Sequence, residues 1–268
     1  MKIISILSYA PDHFAGHDAS ICILKDGKVE LNFELERYSR IKEDGRITDN
    51  FLKYVEKITD IETDCFVADI ETCQALIKIG FFDTVSFPEM LTKDIYKHPL
   101  LSGTAVLSKN KKKYNLYHVH HHFAHACSAA FTSPFENAHV VTADAGGHGL
   151  NFSISKLEKG FLRKFKGMWT NPIGYLWAMI PSIYSSKQPG SLMAIAAYGK
   201  PNSIIFNKLE KALELMLEKR NNYEEAKKIL HNILFNQSIK KNYILNAAVP
   251  GEADLAYNLQ AITDKIFT

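Results

Sequence analysis

One layout occurs twice along this chain and restricts its fold more than any other feature. Residues 3–8 form an apolar, strand-like run, residues 11–16 a polar loop, and residues 19–24 a second apolar run. Asp26-Gly27 then marks a tight hairpin, because both central positions of a type I′ turn need positive φ, and residues 28–34 return as a third strand. The series recurs further on: an apolar strand at 138–143, a glycine turn at Asp144-Ala145-Gly146-Gly147, and alternating residues at 150–156. A turn at Glu158-Lys159-Gly160 and a return over 161–169 complete it. Identity between the copies is low, so the echo is one of layout.

Other segments fill in around the two copies. Phe51, Leu52, Val55 and Ile58 give residues 48–58 helical spacing, and residues 64–70 read as a short strand. Residues 81–113 read as irregular and end in a basic run at 109–113, expected as a solvated loop. A strand at 114–119 leads into a helix that runs through Phe131 and stops at Ser133-Pro134. From Pro172 the pattern is mostly helical: 204–217 with Ser203 as N-cap, 223–235, and 254–267. A duplicated three-strand unit with a phosphate-type loop resembles the actin-like ATPase and sugar-kinase superfamily, in which two ribonuclease-H-like lobes face each other across a nucleotide cleft. The expected class is therefore α/β, with a first lobe at 1–136. Residues 137–268 would be the start of a second lobe plus a helical insertion. That lobe is expected to be incomplete and helix-rich, because it needs at least one more strand pair to close its sheet.

Composition narrows the function classes. With 268 residues, 46% hydrophobic and 23% charged, the chain is of ordinary globular type, which excludes disordered, collagen-like and coiled-coil classes. A net charge of +3 is too near balance to indicate a nucleic-acid partner. Apolar stretches fall short of the ~18 residues that a membrane span needs. The opening residues carry a short apolar run followed by Asp12 and His13 without a cleavage site, so a first strand and a cytoplasmic location are expected. Four cysteines, Cys22, Cys65, Cys73 and Cys127, lie far apart without a C-x-x-C pair, which indicates neither a disulfide framework nor a zinc knuckle.

Four constellations carry potential chemistry. Of 11 histidines, His118, His120, His121, His122 and His125 crowd into HVHHHFAH. If the helix begins near His121, then His121 and His125 stand one turn apart on one face, a spacing at which two imidazoles can hold one metal ion. Spacing alone leaves a metal pair and a histidine-rich strand end both open, and it chooses no metal. His118, His120 and His122 cannot all point the same way, and some are expected at the surface or behind the ligands as their supports. In the loop containing Gly16-His17-Asp18, a histidine beside an aspartate could serve as a general base with an orienting carboxylate, although adjacent residues usually point apart. Asp144, Gly146 and Gly147 could bind phosphate or a metal through a strand-end carboxylate and glycine N–H groups, or form a simple turn. Arg37 and Lys42, set among Glu34, Glu36 and Arg40, could clamp an anionic substrate or lie on a solvated strand end. Cys127 shares a helix with His125 but faces another way, so it is discounted as a nucleophile.

Taken in order, Gly16-His17-Asp18-Ala19-Ser20, Glu36-Arg37-Tyr38-Ser39-Arg40-Ile41-Lys42, His121-His122-Phe123-Ala124-His125-Ala126 and Ser133-Pro134-Phe135 resemble the carbamoyltransferase family. Leu192-Met193 with Ala196-Ala197-Tyr198-Gly199-Lys200-Pro201 extends the match, and Asp254-Leu255-Ala256 resembles its later helix. This family includes the nodulation-factor and antibiotic-tailoring O-carbamoyltransferases. The resemblance implies an actin-like lobe that binds ATP and a divalent metal, usually Fe2+, through His121 and His125. It implies that a separate YrdC-like domain makes carbamoyl-adenylate from carbamoyl phosphate and ATP, and that the actin-like lobe passes the carbamoyl group to a hydroxyl on a small-molecule or sugar acceptor. His17, with Asp18, falls where the family carries a histidine near the transferred group. Ala145 and His148 depart from the family's Asp-Gly-x-Gly-acid pattern, and Ser191 follows Gly190 where the family carries a Lys. The chain is expected to stop before the family's nucleotide loop, its aspartate metal ligand and its YrdC-like domain, which the rest of a longer enzyme or a second chain would supply. The competing expectation is a truncated or degenerate homologue that binds nucleotide or a partner without full catalysis.

Overall fold

The computed structural model describes residues 1–9, 17–59, 61–88, 99–169, 172–184, 189–218, 228, 230–231 and 250–267. It divides into two compact units, Met1–Ala124 and His125–Thr268, whereas the sequence places the division at 136/137.

In the first unit, β1 (Lys2–Leu7), β2 (Ser20–Lys25) and β3 (Lys28–Glu34) form an antiparallel meander. Asp26 and Gly27 take φ of 49° and 77°, which makes the hairpin the expected type I′ turn. Helices α1 (Leu35–Ser39) and α2 (Asp49–Ile58) follow, the second capped by the Thr48 hydroxyl, which accepts the Phe51 N–H. Next come β4 (Cys65–Val67) and α3 (Ile70–Lys78), where the Asp69 carboxylate accepts the Thr72 N–H. The strand expected over 64–70 is thus shorter, because this cap starts a helix at Ile70.

The described residues of the 81–113 stretch are not irregular: they hold β5 (Phe82–Ser86) and β6 (Leu100–Leu107), antiparallel to each other, and β6 pairs with β7 (Lys113–Val119). The basic run is the exposed β6–β7 turn, where Lys109, Lys111 and Lys112 pair with Glu56, Asp83 and Glu62.

The sheet order is β3-β2-β1-β4-β7-β6-β5, with β1, β4 and β7 parallel. Their carboxyl ends share one sheet edge, the edge where open α/β sheets place ligands. Because β2 is antiparallel to β1, its first residue Ser20, paired with Leu7, lies on that same edge. Phe66 is fully buried and takes edge-on contacts from Phe81, Phe82 and Tyr114, with centroids 5.2–6.0 Å away.

Helix α4 (His121–Thr132) begins at the junction of the units. In the second unit β8 (Asn137–Gly147), β9 (Leu150–Glu158) and β10 (Phe161–Met168) form a second antiparallel meander, ordered β10-β9-β8. This bears out the repeated strand layout, with one correction. Asp144 to Gly147 continue β8 rather than forming a glycine turn: Gly147 pairs with Leu150, and the tight turn is His148-Gly149, at φ of 49° and 74°. β10 carries a bulge between Arg163 and Lys166 together with Lys164, devices that blunt an exposed strand edge.

Among the described residues the helices α5 (Ile173–Tyr184), α6 (Pro189–Ala196), α7 (Ser203–Glu218) and α8 (Pro250–Phe267) follow. Leu176, Met179, Leu192, Leu209, Leu255 and Leu259 are fully buried among them. The cap of α7 is Asn202, not Ser203, since the Asn202 side-chain oxygen accepts the N–H groups of Ile204 and Ile205 at 3.1 and 3.2 Å. Gly199 lies so close to α8 that a Cβ there would overlap the Ala253 carbonyl. Asn258 accepts the Asn202 N–H at 3.1 Å and donates to the Lys200 carbonyl at 3.1 Å, which fastens the Gly199-Lys200-Pro201 turn. The helix expected over 223–235 falls mostly outside the described residues. No helix among the described residues is long and apolar enough to cross a membrane.

Phe66→Ala is expected to cost about 3–5 kcal/mol in urea unfolding of the first unit, because the surrounding rings cannot collapse into the space. An unchanged midpoint would show that the core is organised elsewhere.

Candidate functional site

The histidine cluster divides by burial. Along β7 every second residue points inward, so Tyr114, Leu116 and His118 are buried in series. His120 and His122 are buried as well, at 0% exposure, so of the two places expected for these three histidines, at the surface or behind the ligands, the surface falls away. The reason is local. His120 Nδ1 accepts the His122 N–H at 3.1 Å, and its carbonyl accepts the Ala124 N–H at 2.9 Å, which makes His120 the N-cap of α4. In a neutral ring its proton is then on Nε2. His122, Ala126 and Ala130 follow at four-residue steps along the buried side of the helix.

His121 and His125 stand on another side of α4, one turn apart, and their separation belongs to the helix itself. From Ala126 and Ala130 the helix packs on Val140 of β8 and Leu157 of β9. This contact brings α4 beside Asp144. His121, His125 and Asp144 each offer one ligand atom, and all these atoms lie within 4.8 Å of one another. His125 Nε2 is 3.7 Å from Asp144 Oδ2. The other carboxylate oxygen accepts the Ala145 N–H at 2.6 Å, which fixes the rotamer. Behind it, a Cβ on Gly174 of α5 would overlap the Asp144 backbone, so only glycine allows α5 to lie against β8 here. Donors that share one ion at about 2.1 Å stand roughly 3–4 Å apart, so the group needs only a small closure. Two imidazoles and a carboxylate suit ferrous iron or zinc and leave open positions for a substrate oxygen.

The sequence leaves Asp144 open between a phosphate and a metal role, and the family resemblance puts the aspartate ligand beyond the chain. Spacing cannot reveal a carboxylate that meets a helix only through tertiary packing. Gly146 lies under the Trp169 ring, where a Cβ would come within 3.3 Å of two ring atoms. Gly147 closes the β8–β9 pairing.

A second constellation lies at the carboxyl edge of the parallel strands in the first unit. Contrary to the expectation for neighbours, His17 and Asp18 do meet: Nδ1 is 2.8 Å from Asp18 Oδ2. Asp18 takes φ 56°, and this left-handed backbone folds its carboxylate back onto the preceding ring. Since a carboxylate only accepts, Nδ1 donates, and a neutral ring keeps a free lone pair on Nε2. The Tyr9 ring stacks on His17 with centroids 6.4 Å apart. His17 is exposed at 63%.

Arg37 and Lys42 converge on Glu36. Arg37 Nη2 and Lys42 Nζ each lie 3.3 Å from its carboxylate, and Arg37 Nε is 3.3 Å from Glu34. The Glu43 backbone N–H, and after it the Lys42 and Arg37 charges, hold the Glu36 carboxyl below its ordinary pKa. Both cations remain largely exposed but are engaged within the chain.

The four cysteines are free thiols. Burial pushes the Cys127 thiol upward and that of Cys73 up to about 12, which agrees with discounting Cys127 as a nucleophile.

The sequence model of the family described as "Carbamoyltransferase N-terminus" matches residues 81–267. The chain is similar to the nodulation protein NolNO of Sinorhizobium fredii (strain NBRC 101917 / NGR234), with 26% identity over 196 residues. The match covers 69% of this chain and 28% of that protein, so the chain spans less than a third of its relative's length.

Because the His120 ring caps α4, His120→Ala is expected to lower stability by about 1–2 kcal/mol in urea unfolding, and His120→Asn to recover part of it. An Asn variant no better than Ala would show that the ring acts by filling space rather than by capping.

Proposed function

We propose, for a chain that belongs to the carbamoyltransferase family through its N-terminal domain, that it is the N-terminal portion of an O-carbamoyltransferase. The observation that carries this reading is the convergence of His121, His125 and Asp144, whose ligand atoms lie within 4.8 Å of one another. The ordered motif series supports the same reading. So does the sheet order of the first unit, in which an antiparallel three-strand meander continues into the parallel β4 and β7. With the second meander, it favours two ribonuclease-H-like lobes of actin-like type.

In this reading carbamoyl phosphate and ATP yield carbamoyl-adenylate on a YrdC-like domain, either elsewhere on the polypeptide or on a second chain. The portion described above carries the transfer step. His17 Nε2 takes the proton of an acceptor hydroxyl on a small molecule or sugar while the hydroxyl oxygen bonds to the carbamoyl carbon. The bond from that carbon to the AMP phosphate oxygen breaks, and AMP leaves with the electron pair. Asp18, bonded to Nδ1, orients the ring and stabilises the imidazolium that forms. His121, His125 and Asp144 would hold Fe2+ or another divalent ion, which when bound supplies Lewis acidity toward the carbamoyl carbonyl or phosphate oxygens. This reading assigns the anionic phosphates to the Arg37 and Lys42 side chains, which can turn from Glu36, and to the backbone of Gly146 and Gly147.

The test is anaerobic loading with ferrous iron followed by metal analysis. The parent chain is expected to retain about one ion per chain, and His121→Ala, His125→Ala and Asp144→Asn to lose it, as for three-ligand sites generally. His17→Ala is expected to keep the ion while transfer from supplied carbamoyl-adenylate falls about 10²-fold or more. A parent that retains no divalent ion, or histidine variants that retain as much as the parent, would contradict the reading.

A further inference from the structure

We infer that Glu36 is the positioning residue for the His17–Asp18 pair and acts through the loop at residues 40–45. The loop's shape is unusual for side-chain-bearing residues, since Arg40 and Glu43 take φ of 61° and 55°. Glu36 holds both positions. Its carbonyl accepts the Arg40 N–H at 3.0 Å, and its carboxylate, only 10% exposed, accepts the Glu43 N–H at 3.0 Å and faces Lys42 and Arg37. A third bond, from the Asp44 N–H to the Ile41 carbonyl at 3.3 Å, closes the turn.

The far end of the loop delivers two acceptors to the strand edge. The Asp44 carbonyl takes the Ala19 N–H at 2.9 Å, and the Gly45 carbonyl takes the Tyr9 N–H at 2.9 Å. Ala19 is fully buried, and its own carbonyl accepts the Leu35 N–H at 2.7 Å, directly before Glu36. The chain of bonds therefore closes on itself: Glu36, the loop, Ala19, Leu35. Asp18 precedes the pinned Ala19 and must stay left-handed to keep its carboxylate on His17. Tyr9, pinned by Gly45, carries the ring that stacks on His17. Removing the Glu36 carboxylate releases the loop, then Ala19 and Tyr9, and with them the geometry that keeps the His17 proton on Nδ1.

The substitution that tests this is Glu36→Ala, with Glu36→Gln as rescue, because a glutamine oxygen can still accept the Glu43 N–H. In the full chain labelled with ¹⁵N, the parent His17 is expected to show the Nδ1-protonated tautomer. In Glu36→Ala the two ring-nitrogen shifts move toward each other, and the Ala19 and Tyr9 amides exchange at least about tenfold faster. The Ile4 and Ile21 amides stay protected, and Glu36→Gln restores the parent pattern. A merely structural role would lower the unfolding midpoint and leave the His17 tautomer as it is. If Glu36→Ala does not fold, Glu36→Asp serves, since it keeps the charge but is one methylene short of the Glu43 N–H. Parent-like His17 shifts in whichever variant folds would overturn the inference. The kinetic consequence, a lower kcat with KM for the acceptor unchanged, rests on the transfer function proposed above. A parent without transfer activity would end that function, and the NMR result would still decide the role of Glu36.

Discussion

The contact of Ala126 and Ala130 on Val140 and Leu157 is the constraint on which the rest of the site depends. Two alanines let α4 lie close to the β8–β9 sheet, and a close helix axis is what brings half-buried His121 and exposed His125 within reach of a strand carboxylate. Larger side chains at either position would lift the helix and separate His125 from Asp144. Gly174 does the equivalent from α5, whose close approach leaves no room for a Cβ beside the Asp144 backbone. The donor group is therefore built on small residues packed behind it.

Local signals in the sequence were reliable where the structure itself is local. The positive-φ turns at Asp26-Gly27 and Lys159-Gly160, the four-residue step from His121 to His125, and the stop after α4 could all be read from neighbouring residues. Segments whose form depends on distant partners were misread. Residues 100–107 join the sheet as β6 because they pair with β7; their large aliphatics, Leu100, Leu101, Val106 and Leu107, sit in pairs at the two ends and give no alternation to read. Asp144-Ala145-Gly146-Gly147 resembles a turn by composition, yet it continues β8 as an irregularity between the Ala143–Phe152 and Gly147–Leu150 pairs, with the Trp169 ring over Gly146. The start of α3 did carry a usable sign in Asp69, which caps the helix three residues ahead at Thr72.

For the candidate site, residue types were legible but their company was not. Adjacent His17 and Asp18 interact only because Asp18 is left-handed, a backbone state that the dipeptide does not announce. Arg37 and Lys42 read from the sequence as an anion clamp or a solvated strand end, and the structure engages both with Glu36. That carboxylate is the residue whose importance a residue-by-residue reading misses, since its partners are a backbone N–H seven residues on and two side chains.

The central claim is that one ion is held by two imidazoles of α4 and the carboxylate of β8. X-ray absorption on the chain loaded with ferrous iron or cobalt counts imidazole ligands directly through their multiple scattering. The account predicts two imidazoles with a light oxygen shell in the parent, and one imidazole after His121→Ala or His125→Ala. A parent spectrum without imidazole scattering, or one that neither substitution changes, would contradict it.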